Sequence, residues 1–225
     1  MKVRFSSLAI SVGILGIAGA LVWLSWRWYP SQQQSNLDCY PNCSAATLAD
    51  QNLAQSQLSR SDFTGADLRS VDLRQADLVM AVFSAATLRN ALLAGADLSN
   101  ARLDGADLRE ADLQGATLRS ADMRAADLRE ANLTGADLRG ADLTGALLDR
   151  ALLNNALLDA AVLNLASLHR ADLTGANLKQ ASLREADLRS ATLDGADFTG
   201  ADLMGARLPW PFESLPVSTP RSSGD

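Results

Sequence analysis

From Leu48 to Leu208 every fifth residue is large and apolar: Leu throughout, except Phe63, Phe83, Phe198 and Met123. The residue two places earlier is Ala, with Gln51, Ser56, Ser61 and Val71 as the departures, all in the early part. Asp, Asn or Thr tends to precede the Leu, and Arg, Thr, Ser or Gly tends to follow it; Ala96-Asp97-Leu98-Ser99-Asn100 is a representative unit. A period of five suits neither standard element. On an α-helix five residues turn through about 500°, so the leucines would spiral around the whole circumference. On one continuous strand they would alternate between faces. Both conflicts vanish if the chain is extended across Ala-x-Leu and then turns a corner that resets the parity. Gly65, Gly95, Gly105, Gly115, Gly135 and Gly145 fall just before Ala, where such a turn needs permissive backbone. The predicted element is an inward-facing solenoid.

This unbroken A-(D/N)-L-x-x register, running from Ala46 to Leu208, closely resembles the pentapeptide-repeat family. The resemblance implies an all-β fold: a right-handed quadrilateral β-helix, four pentapeptides per coil, with Leu at the centre and Ala just inside each corner. Thirty-three units would then give about eight coils, a stack of about 40 Å at the usual strand spacing. Single coils are unstable and neighbours must stack, so both ends need covers. The expected organisation is an N-terminal membrane segment over 1–29, a linker and N-cap with a cysteine pair over 30–44, the β-helix over 45–208, and a C-terminal cap and disordered tail over 209–225. Cys39 and Cys43 would brace the turn into the first coil. At the far end Pro209 and Pro211 forbid further pairing, and Trp210 and Phe212 would cover the last leucines.

The N-terminal segment changes the setting. Met1-Lys2-Val3-Arg4 is basic, and Phe5 to Trp26 contains no charged residue. As a helix this stretch would be about 33 Å long, enough for the ~30 Å hydrocarbon core of a bilayer. Trp23, Trp26, Trp28 and Tyr29 gather at its far end, as an aromatic belt would. Lys2 and Arg4 outweigh Arg27, which keeps the N-terminus cytoplasmic and exports the repeats, to the periplasm or a thylakoid lumen. A cleaved signal peptide is the alternative reading. An exported site favours a Cys39–Cys43 disulfide, with free thiols or a redox or metal role left open.

Charge and chemistry then narrow the function. The net charge of −6 speaks against nucleic acid as a partner, since a nucleic-acid binder normally presents a strongly basic surface. There is one histidine, His169, no cysteine within the repeats and no phosphate-binding loop, so no catalytic group, cofactor or metal site is expected and the chain is read as a non-enzyme. Units twenty residues apart should stack, giving a column Arg69, Arg89, Arg109, Arg129, Asp149, His169, Arg189. Beside it runs a second column, Ser70, Asn90, Glu110, Glu130, Arg150, Arg170, Ser190, and the charge signs swap between Glu130 and Asp149. The position before Leu turns apolar in four successive units, at Leu147, Leu152, Leu157 and Val162, with Leu165 beside them; Val79, Met80, Val82 and Leu92 form a smaller cluster. Exposed apolar groups mark contact surfaces. The reading is a membrane-anchored scaffold or protein-interaction rod that binds an unidentified protein or itself, with these leucines and arginines as candidates. The alternative is mimicry of DNA towards gyrase, which the resemblance brings in. The repeats carry a net −7, whereas about 40 Å of duplex carries roughly 23 negative charges.

Overall fold

The computed structural model describes residues 37–210. The expected anchor at Phe5–Trp26, the start of the linker, Phe212 and the tail lie outside the described residues, among which no helix is long and apolar enough to cross a membrane. Trp210, expected to cover the last leucines, is 93 % exposed and does not pack on them.

Every pairing joins residues twenty apart and is parallel, from Asn42↔Asp62 to Asp187↔Arg207. Each coil therefore has four sides of one pentapeptide each. Face 1 carries the outward residues Asn42 to Asp202, face 2 Thr47 to Arg207, face 3 Asn52 to Thr192 and face 4 Gln57 to Asp197, each at steps of twenty. Inside, the leucines and alanines form one continuous core; the inward residues at every fifth position from Leu68 to Leu188 are at most 1 % exposed. Phe63 and Phe83 stack in the face 1 column with ring centroids 5.1 Å apart.

The backbone hydrogen bonds explain why five residues suffice. In the unit Ala136–Gly140, Ala136 N–H closes the preceding turn onto Leu133 O at 3.0 Å, Asp137 N–H reaches Ala116 O in the previous coil at 2.9 Å, and Leu138 and Gly140 N–H reach Leu157 O and Asp159 O in the next at 2.7 and 3.0 Å. Four of the five donors are thus spent within the backbone. To aim the last of them, the residue before Ala takes a positive φ, as the third residue of a type II turn must. It does so at all thirty-three positions from Ala45 to Gly205, although only eleven are glycine. At Gly175 an added Cβ would lie 2.6 Å from Asn155 Oδ1 one coil earlier, so a larger residue there requires the Asn155 side chain to turn away.

The pairing begins one unit before the first leucine. In Pro41-Asn42-Cys43-Ser44-Ala45 the cysteine takes the inward slot, 1 % exposed, and its N–H bonds Asp62 O at 2.7 Å. Cys43 is disulfide-bonded to Cys39, and Leu37 and Cys39 pack against the end of the core.

Candidate interaction surfaces

The fifth donor of each unit, the N–H after the leucine, has no backbone partner, and here the outward residue decides the outcome. Wherever Asp or Asn stands before the leucine, its Oδ1 accepts that N–H, as Asp137 does from Arg139 at 3.3 Å and Asp97 from Ser99 at 2.9 Å. All nineteen Asp or Asn residues at this position do so. The carboxylates are therefore turn caps, doing what an Asx turn does.

The caps also bind the candidate arginines. In each Asp-(Leu/Met)-Arg unit the guanidinium folds back on its own aspartate through two bonds. Arg69 holds Asp67 at 2.8 and 2.6 Å, Arg109 holds Asp107 at 2.7 and 2.5 Å, and Arg129 holds Asp127 at 2.8 and 2.6 Å. Three of the four candidates at the corner between faces 2 and 3 are thus locked into internal forks, a geometry that arginine favours. Arg89 differs because Thr87 precedes its leucine; it reaches Glu110 at 3.6 Å instead. Past the sign swap Arg150 meets Glu130 at 3.2 Å. Capping aspartates also stack one coil apart, as Asp107 with Asp127 and Asp122 with Asp142, and the same forks fill the space between them. Arg109 Nε lies 3.4 Å from Asp127 and Arg124 Nε 3.8 Å from Asp142, so a guanidinium already sits where a cation would go between Asp107 and Asp127 or between Asp122 and Asp142. Arg139 and Arg189 hold the carboxyls of Asp137 and Asp187 down at about 2, chiefly by hydrogen bonding to the charged form.

The apolar coil breaks the cap rule four times in succession. Leu147 and Leu152 are 38 % and 45 % exposed on faces 2 and 3, Leu165 is 61 % exposed at the corner between faces 1 and 2, and Leu157 and Val162 are half-buried. The four candidates therefore do not form an evenly exposed ring. They face four directions, so a flat partner meets at most two neighbouring faces. The polar group missing from the outward position has moved across the leucine. Asp149 accepts from Ser167 Oγ at 2.7 Å, Asp159 from Asn177 Nδ2 at 2.9 Å and Asn164 from Ser182 Oγ at 2.6 Å, all in the following coil. Met80 and Leu92 are exposed at 47 % and 37 %, while Val79 and Val82 are half-buried. His169 is half-buried with no hydrogen bond at Nδ1.

The model of pentapeptide repeats matches in eight copies, over residues 42–78, 81–119, 106–145, 141–180 and 171–208. The chain belongs to the pentapeptide-repeat family, whose fold is the right-handed quadrilateral β-helix and whose members are generally non-catalytic structural or interaction proteins. Among solved structures it is similar to HetL, a pentapeptide repeat protein involved in heterocyst differentiation regulation in the cyanobacterium Nostoc sp. strain PCC 7120. The two are 35 % identical over 75 % of this chain and 85 % of HetL, with a TM-score of 0.47. A pentapeptide repeat protein of the Arabidopsis thaliana thylakoid lumen is 36 % identical over 47 % of this chain and 70 % of that one, at a TM-score of 0.37. QnrB1, a plasmid-mediated fluoroquinolone resistance protein, is 21 % identical over 73 % of this chain and 92 % of its own, at 0.36. No curated protein matches the sequence.

Proposed function

We propose that this chain is a non-catalytic interaction rod, held at a membrane by its N-terminal segment with the repeats on the exported side, and that the coil from Leu147 to Leu165 meets its protein partner. The observation that carries the reading is the fourfold exchange of a capping group for an aliphatic one. Each exchange gives up a turn cap, an interaction of the kind worth about 1 kcal/mol. Leu147 and Leu152 recover only part of that through burial, since they remain 38 % and 45 % exposed. A contact that completes their burial accounts for the pattern. The uncharged stretch from Phe5 to Trp26 supports the anchor.

The test is the variant Leu147→Asn plus Leu152→Asn, which restores two caps without adding charge. It should leave the circular dichroism spectrum unchanged and abolish self-association in light scattering, or the proteins cross-linked to the rod in native membranes. Unchanged association in both assays would remove this coil from the function. Carbonate extraction of membranes tests the anchor, which requires the chain to remain in the pellet.

A further inference from the structure

The first coil differs from the others in what holds it. Gln51, Ser56 and Ser61 stand where every later unit has alanine or, once, Val71, and Ser61 is fully buried with its Oγ unpartnered. A buried hydroxyl without a partner weakens the coil it sits in. At the head of the face 1 column, above the Phe63–Phe83 stack, the slot belongs to Cys43. A cysteine side chain is much smaller than leucine, and an unfilled slot forfeits contacts with the ring beneath. The bond to Cys39 makes up the difference. It brings a second sulfur to the slot and ties Leu37 and Cys39 across the core's end.

We infer that the Cys39–Cys43 disulfide is a redox-operated cover for the N-terminal end of the core. Cys43 is 1 % exposed whereas Cys39 is half-buried, so a dithiol reductant attacks the Cys39 sulfur. Its thiolate forms a mixed disulfide with Cys39, and Cys43 leaves as a thiolate and takes up a proton. The reductant's second thiol then closes on its first, releasing the Cys39 thiol. Two electrons pass to the protein, and the reductant ends as a cyclic disulfide. Nothing covalent then holds Leu37 to Cys39 over the end. Because repeats are stabilised mainly by their nearest neighbours, the opening stays at the first coil and leaves the rest of the stack intact.

Hydrogen exchange of the full-length protein, read by mass spectrometry with and without dithiothreitol, tests this. Reduction should accelerate exchange across residues 43–63 by about 10-fold or more while residues 121–163 keep their protection. Cys39→Ser should behave as the reduced protein whether or not reductant is present. Cys39→Ser combined with Cys43→Leu, which fills the slot with the side chain most later units carry there, should regain protection and ignore the reductant. Equal protection of residues 43–63 in oxidised, reduced and Cys39→Ser protein would overturn the inference, as would loss of protection along the whole stack.

Discussion

The coil containing Arg124 to Arg139 and the one that follows it have the same backbone and opposite exteriors. In the first, Asp122, Asp127, Asn132 and Asp137 stand before the inward residue, each accepting the N–H two residues on, and Arg124, Arg129 and Arg139 fold back onto three of them. In the second, Leu147, Leu152 and Leu157 lie over Asp127, Asn132 and Asp137, Val162 follows on the next face over Asp142, and Asp149, Asp159 and Asn164 turn to the coil after. The ladder does not register the change: Leu138 and Leu158 N–H both make 2.7 Å bonds to the next coil. Core and ladder therefore fix the fold, while a single outward position per unit decides whether a coil closes on itself or offers apolar surface. This also weighs against an exterior resembling DNA, since seven aspartates are already neutralised by their own arginines.

Four changes probe this division, the largest effect first. One residue inserted between Leu138 and Arg139 puts every later unit out of step with the coil before it, so the melting temperature followed by circular dichroism should fall by more than about 10 °C. An unaffected melt would mean that the five-residue register is not structural. Leu138→Ala opens a cavity in a fully buried column and should cost about 2–5 kcal/mol in urea titration. Acid should act next, and unequally. Asp137 and Asp187 have folded pKa values of about 2, below the ~3.9 of an unfolded aspartate. Their contribution is complete above about pH 4 and is lost as the pH falls towards 2. Arg139→Gln removes the main cause at Asp137, so the acid transition should begin at higher pH. Smallest of all is Leu152→Asn, where a regained cap offsets lost partial burial; stability should move by less than about 1 kcal/mol. A loss as large as that of Leu138→Ala would show Leu152 to be part of the core.

The architecture was legible because a period of five excludes a lone helix and a lone strand, leaving inward leucines on a cornered coil. The turn position was only partly legible. Glycine marked eleven sites, yet Leu165, Met80 and Glu185 adopt the same positive φ, because the ladder bond made there offsets the strain. The first unit escaped notice since Cys43 holds the slot where leucine was expected. The arginine column reads as a free stripe along the chain, but Asp and Arg two residues apart flank one inward leucine and meet outside it. The apolar coil was visible as four residues, whereas their unequal exposure depends on which side chains lie above and below. The move of Asp and Asn to the position after the leucine, at Asp149, Asn154, Asp159 and Asn164, was a sequence signal that went unread.

Residue-resolved amide exchange by NMR bears most directly on the division between caps and ladder. The N–H groups of Thr134, Arg139 and Thr144 should exchange slowly, and those of Asp149, Asn154, Asp159 and Asn164 close to their unprotected rate, while ladder amides such as Leu138 and Leu158 are equally protected in both coils. Matching rates at the two sets of post-leucine positions would contradict the cap rule and, with it, the reason for singling out the apolar coil.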